Sequence, residues 1–305
     1  MELAQSEIGA TSTVRARALA AGRRLGGELR AADKPTAELD QSAAPVIVGL
    51  DSGYVRHCRP DPEGNFEVVA GRRLRGTEPS RSVAFVRIVD AEATRRVGSM
   101  AAGATEVFTD GDTQLRQWQM TALPQATHIL DWYHLRRRVD PLDRVVHGAL
   151  VARQLSARDH GRLSFLLGRL KWRLWHGRPR QAMRRIEVAL WVLQRRAVRS
   201  KPVAVHIRRL AVELLEYLRH NADSLPDYAK RWRSGQRISS AFVESAVNQI
   251  IDKRMSKSQQ MRWDPLSAHQ LLQIRVRLVD GLLRGDFERW YPGLPANAPS
   301  LAVAA

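Results

Sequence analysis

Strand-length apolar runs are confined to one part of this chain and stop at Asp131, and that switch constrains the fold more than any other feature. Val46–Leu50 is a buried-strand run, followed by Phe66–Ala70 and Ala84–Val89, with turn residues between them in Pro60–Gly64 and Gly76–Pro79. Ala91–Ala102 has helical spacing and is stopped by Gly103. Thr105–Thr109 reads as a fourth strand, Thr113–Thr121 as a short helix and Thr127–Leu130 as a fifth strand. The order β-β-β-α-β-α-β is a hairpin meander feeding a crossover-built sheet, which predicts an α/β fold with helices on the faces of a mixed sheet.

Beyond Asp131 the period changes. Trp132–Ala157, Arg162–Trp175, Pro179–Arg199 and Val203–His220 carry apolar residues at helical spacing, with Arg and Lys on the remaining faces. Lys230–Gly235 reads as a breaker, and two more helices are expected over Ala241–Ser256 and Pro265–Leu283. Ahead of the sheet, Ser12–Leu29 has helical character weakened by Gly22, Gly26 and Gly27. The expected organisation is a flexible or marginally helical arm over 1–45, the sheet over 46–131, a basic helical block over 132–235, further helices over 236–290 and a disordered tail over 291–305.

Charge narrows the partner. The chain has 305 residues and a formal charge of +18. Between Asp131 and Leu210 there are 20 Lys/Arg against 5 Asp/Glu, a net +15, so the excess is concentrated in the helical block. A localised surplus of that size points to a polyanion, nucleic acid before an anionic lipid surface. No apolar run is long enough to span a bilayer, and the N-terminus lacks the apolar segment of a secretory signal, so a cytosolic protein in contact with DNA or RNA is expected. The single cysteine, Cys58, excludes an internal disulfide and any multi-cysteine zinc site.

Three acids stand where chemistry is accessible. Asp51 ends the run Val46-Ile-Val-Gly-Leu, yet Ser52–Arg56 looks like more strand, and an Asp inside a strand needs a reason such as a metal. Asp110 follows the strand Val107–Thr109, with Gly111 turning the backbone away; Asp112 is the competing choice. Glu244 lies in the first turn after Ser239 and Ser240, with Asn248 one turn along and the cations Lys253, Arg254 and Lys257 beyond. Each acid has an ordinary reading as turn-former or cap. Together they suit Mg²⁺ (or Mn²⁺), since two hard cations held by a few carboxylates can serve both oxygens of an in-line displacement at phosphorus. Asp131 and His134, at i and i+3, read either as an Asp-oriented histidine or as a helix cap beside a packed ring. Lys171, Arg173, Arg184 and Arg185, interleaved with Trp172, Trp175 and Trp191, are the candidate DNA contacts of the helical block.

These pieces resemble a known family. Val48-Gly-Leu-Asp51-Ser-Gly-Tyr-Val-Arg56, Phe108-Thr-Asp110-Gly111, His128-Ile-Leu-Asp131-Trp-Tyr-His134, Ser240-Ala-Phe-Val-Glu244-Ser-Ala-Val-Asn248, Lys257–Trp263 and Ala268–Arg275 occur in an order similar to that of bacterial insertion-sequence DDE transposases, ISKra-type, related to the Mutator-like transposases. The resemblance covers about residues 46–280. It implies a ribonuclease H-like core with a large all-helical insertion, and Asp51, Asp110 and Glu244 as the metal-binding catalytic triad gathered in one pocket. Asp131 and His134 match an accessory Asp/Cys-x-x-His signature. It also implies cleavage at element ends, then attack of the freed 3′-hydroxyl on target DNA, in a homo-oligomer assembled on DNA in the bacterial cytoplasm. A nuclease on the same core and an inactive DNA-binding remnant are the alternatives. The family places a DNA-binding region ahead of the core, whereas here about 45 charge-neutral residues precede it.

Overall fold

A computed structural model describes residues 2–32, 45–59, 64–89, 93–195, 199–256 and 262–293. Five strands, β1 (Val46–Arg56), β2 (Asn65–Arg75), β3 (Arg81–Val86), β4 (Ala104–Thr109) and β5 (Thr127–Leu130), form one mixed sheet in the order β3-β2-β1-β4-β5. The helices are α1 (Glu2–Ala32), α2 (Ala93–Met100), α3 (Thr113–Ala122), α4 (Trp132–Val151), α5 (Ala157–Trp175), α6 (Pro179–Leu193), α7 (Pro202–His220), α8 (Tyr228–Arg233), α9 (Ala241–Val247), α10 (Pro265–Val279) and α11 (Leu283–Trp290). A π-helical stretch, Asn248–Ser256, continues directly from α9. The strand-strand-strand-helix-strand-helix-strand order expected from the sequence is the observed one. No helix among the described residues is long and apolar enough to cross a membrane.

The chain divides into two units. The first comprises Met1–Val107, Gln114–Thr127 and Ala241–Ala305. Here β1, β2 and β3 form an antiparallel meander, with Asp51 opposite Ala70 and Ala70 opposite Ala84. Strand alternation sends Val46, Val48 and Leu50 of β1 to the face covered by Val97 of α2 and Leu115 of α3. It sends Val55 to the opposite face, covered by Val243, Ala246, Ile250 and Ile251 and by Ala268, Leu272 and Val276 of α10.

β3 lies at the sheet's edge, and α10 with its C-cap Asp280 engages three of its backbone groups. The Val86 amide donates to His269 Nδ1 (3.3 Å), Gln273 Nε2 donates to the Ala84 carbonyl (3.0 Å), and the Ser82 amide donates to Asp280 Oδ2 (2.7 Å). His269 and Gln273 are buried for this reason, and apolar spacing gives no hint of it. Burial pushes the Asp280 carboxyl up, against the two Ser82 hydrogen bonds that pull it down.

Where the sequence suggests a flexible or marginal arm, residues 2–32 form one helix seated on α10. The glycines that lower its propensity allow that seat: a Cβ on Gly22 would lie 2.1 Å from the Gln270 carbonyl oxygen. Leu25 is buried, Trp290 Nε1 donates to Glu28 (2.7 Å), and the Arg24 guanidinium lies 4.4 Å from the Trp290 ring centre. Gly22→Ala is therefore predicted to destabilise the first unit by about 1–3 kcal/mol and to expose α1 to proteolysis. Urea unfolding and limited trypsinolysis check this, and an unchanged midpoint would show that α1 is not seated there.

The second unit comprises Phe108–Thr113 and His128–Ser240. Its core joins the inward faces of four helices, including Leu135 and Leu142 of α4, Leu163 and Leu170 of α5, Ile186 of α6 and Leu214 of α7. Helix α4 ends earlier than expected, and α5 starts earlier because the Ser156 hydroxyl accepts from the Asp159 amide (3.1 Å), a cap hidden in an otherwise helical pattern. The expected breaker at Lys230–Gly235 holds a short helix instead, since Asp227 caps it and Gly235, at φ 71°, ends it. Lys257 and the tail from residue 294 lie outside the described residues.

Candidate functional site

β1 continues past its acid, as expected, so Asp51 sits inside a strand. A Cβ on Gly49 would lie 2.0 Å from Val243 Cγ2, and one on Gly53 would lie 3.9 Å from Ile251 Cγ2. Residues 49, 51 and 53 share one face of the strand. Asp51 is thus on the face crossed by the segment that carries Glu244, between two glycines that let that segment come close. Asp51 is half-buried and its Oδ1 accepts from the Ser52 amide (2.9 Å).

Glu244 lies in the first turn of α9, where the helix dipole favours an anion, and is also half-buried. The expected continuous α-helix changes to π geometry at Asn248, one turn beyond Glu244. A π turn re-aims side chains and frees carbonyls from their usual partners. Arg275 of α10 meets that need: its Nε donates to the Ile250 carbonyl (2.6 Å) and a terminal nitrogen donates to Gln249 O. Lys253 is exposed on this stretch, and Arg254 belongs to its backbone.

In the second unit Asp110 begins a tight turn. Its Oδ1 accepts from the Asp112 amide (2.8 Å), and Gly111 has φ 83°. Around it the helical unit supplies a clamp that spacing does not reveal. The Tyr217 hydroxyl of α7 donates to the Asp110 carbonyl (2.6 Å), and Asn221 Nδ2 donates to the Gly111 carbonyl (3.3 Å). A Cβ on Gly111 would meet Leu130 Cδ1 at 2.6 Å, so glycine is required here by both space and φ. Beneath the turn, Thr109 Oγ1 bonds the Gly111 amide (3.1 Å) and His128 Nε2 (2.8 Å), and His128 Nδ1 bonds Ser224 Oγ (2.6 Å). Burial, then the Asp110 and Asp131 charges, push the Tyr217 hydroxyl well up, so it remains a donor. Asp110 is therefore the anchored acid, and Asp112 the exposed one. Tyr217→Phe is predicted to lower stability by about 1 kcal/mol and to loosen this turn, seen as faster amide exchange at Gly111 and Asp112; unchanged exchange would remove Tyr217 from the clamp.

Asp131 is fully buried and acts as the cap of α4. One oxygen accepts from the Tyr133 (2.5 Å) and His134 (3.1 Å) amides, and the other from the Ser240 amide and hydroxyl. Of the two sequence readings for Asp131 and His134, the cap describes these contacts: Asp131 meets His134 through its backbone N–H, while the His134 ring packs edge-on to Tyr133 at 5.8 Å.

Among the candidate DNA contacts, Lys171 pairs with Asp143 (2.8 Å) and Arg173 donates to Gln181. Arg184 is exposed, whereas Arg185 is half-buried with its Nε unbonded. Desolvation and the guanidiniums of Arg185, Arg169 and Arg178 push Arg173 below the usual guanidinium range.

No protein-family model matches this chain, and no curated protein matches it. The site therefore rests on its residues. Asp51 and Glu244 belong to the first unit and Asp110 to the second. Among the described residues no three His, Cys, Asp or Glu side chains form a ready cage for a metal ion.

Proposed function

We propose that this chain is a DNA transposase of the DDE type, which cleaves phosphodiester bonds at element ends and joins the freed 3′-hydroxyl to target DNA. The observation that carries the reading is the shared face of β1: Asp51 stands between Gly49 and Gly53, the two positions crossed by the segment bearing Glu244. The meander β3-β2-β1 continued by β4 and β5 supports a ribonuclease H-like core, with the helical block as its insertion.

Asp51, Asp110 and Glu244 would hold Mg²⁺ (or Mn²⁺), two ions in all. Their donors are all oxygen, which suits a hard cation, and such an ion needs only one or two carboxylates from the protein beside water and substrate phosphates. When bound, it supplies charge neutralisation at the phosphoryl oxygens and a more acidic water. The protein's own part is positioning. Asp51 is fixed by a strand paired on both sides, Asp110 by a turn clamped from α7, and Glu244 by a helix start that also favours its charge. Asn248 adds an amide one turn from Glu244, and the basic helical block offsets backbone phosphate charge. A homo-oligomer on DNA, acting in the bacterial cytoplasm, completes the reading.

The test is cleavage and joining by the full chain on duplexes carrying the DNA that flanks its own gene, with Mg²⁺ or Mn²⁺. Parent protein is expected to cut and to join the product into a supercoiled plasmid, and Asp51→Asn, Asp110→Asn and Glu244→Gln to do neither. Cutting without joining would make the chain a nuclease on this core. No cutting by the parent would make it a DNA-binding remnant.

A further inference from the structure

The outward face of α5 carries a stripe of a kind seldom left in water. Arg158, Arg162, Phe165, Arg169, Trp172 and His176 follow one another at alternating steps of four and three, which places them in a single line along the helix and its first residue beyond. The inward residues Leu163, Leu166, Leu167, Leu170 and Leu174 are buried, so the line faces solvent. Phe165 is 64% exposed and Trp172 41% exposed. A singly exposed aromatic is ordinary, but two aligned with cations are not explained by packing.

Charge on the stripe is uncompensated. The acids near it are already engaged: Asp159 with Ser156 and Arg195, and Asp143 with Lys171. Among the described residues Arg158, Arg162 and Arg169 have no carboxylate partner. The Trp172 ring is held in place, stacked on His176 at 4.1 Å between ring centres, with the guanidiniums of Arg169 and Arg178 each 5.3 Å from its centre. The indole is thus fixed by an imidazole stacked on it and two guanidiniums over its ring, and still leaves part of its apolar surface to solvent. Phe165 and Trp172 are seven residues apart, about 10 Å along the axis, with Arg169 between them.

We infer that this stripe of α5 is a docking surface for single-stranded DNA, with bases stacking on Phe165 and Trp172 and phosphates met by Arg162, Arg169 and Arg178. Ring faces can be used only by bases that are not already stacked in a duplex, which selects a single strand over a double one. The guanidiniums select a polyanion. The choice of DNA over RNA rests on the function proposed above; the stripe itself does not depend on the acids of that site.

Fluorescence anisotropy of the full chain with labelled dT20, rU20 and a 20-base-pair duplex, in EDTA and without divalent metal, tests this. Binding to dT20 is expected to exceed binding to the duplex and to weaken as salt rises. The pair Phe165→Ala, Trp172→Ala changes no charge and should weaken dT20 binding by about tenfold or more, while duplex binding changes little. Arg162→Ala with Arg169→Ala should weaken it and flatten the salt dependence, whereas Arg136→Ala with Arg209→Ala, the same charge loss elsewhere in the helical unit, should not. All six side chains are at the surface or its margin, so an unchanged urea midpoint will show the variants to be folded. Equal binding of dT20 by the aromatic pair and the parent overturns the proposal. So does tighter binding of rU20, or preference for anionic phosphatidylglycerol vesicles that needs the same residues. Because the assay excludes metal, loss of cleavage activity would leave its outcome untouched.

Discussion

Asp51→Asn is expected to abolish metal-dependent cleavage, by about 10³-fold or more, while leaving the chain folded. The size follows from the chemistry: a carboxylate that neutralises a divalent ion supports several kcal/mol of charge stabilisation at phosphorus, and each 1.36 kcal/mol is about tenfold in rate. The amide keeps the shape and can still accept from the Ser52 amide, so the strand pairing opposite Ala70 should persist. Salt-sensitive DNA binding should remain, since the positive charge lies in the helical block. Gel assays of cleavage and urea unfolding on the same preparation read both effects. Retention of parental cleavage in Asp51→Asn would reject the mechanism.

Asp131→Ala is expected to do the reverse: a loss of about 3–5 kcal/mol of stability in the second unit. Asp131 is fully buried and receives four donors, from Tyr133, His134 and both groups of Ser240. Losing a helix cap costs about 1 kcal/mol, and each buried donor left without an acceptor costs about 1–3 kcal/mol. Asp131→Asn should fall between parent and alanine, because one oxygen survives while the new amide faces the Ser240 donors. Were Asp131 chiefly a metal ligand, its removal would leave the metal-free protein's stability nearly unchanged. A urea midpoint within error of the parent would therefore refute the cap assignment.

These two acids illustrate how much the sequence discloses. Asp51 could be placed inside a strand because the residues after it, Ser52–Arg56, kept strand character, and period-two alternation then assigns its face. The number and order of strands were equally legible, because each is a short apolar run bounded by turn residues. For Asp131 the cap is one of two readings the sequence offers, but its long-range partner is not legible. Its partner Ser240 is 109 positions away, and no local spacing signals a hydrogen bond at that separation. Tyr217 is hidden for the same reason, since it reaches the Asp110 carbonyl from 107 positions away and reads locally as one more apolar helix residue.

The seat of the arm helix and the π stretch are hidden from the sequence for a different reason. Propensity penalises Gly22 and Gly26 in a helix, but it is blind to a neighbouring backbone that only glycine can admit. Periodicity likewise cannot tell an α turn from a π turn when the buried positions, Ile250, Ile251 and Met255, suit both. What decides it is Arg275 on another helix, ready to receive the loosened carbonyls.

The side chains that α10 lends to β3 have one more implication. With the Ser82 amide, the Ala84 carbonyl and the Val86 amide engaged by Asp280, Gln273 and His269, three peptide groups of that flank are closed to a visiting strand. Ribbon-like sharing of the sheet between copies is disfavoured at this margin. Removing the polar groups of His269, Gln273 and Asp280 would reopen those peptide groups to pairing with a foreign strand.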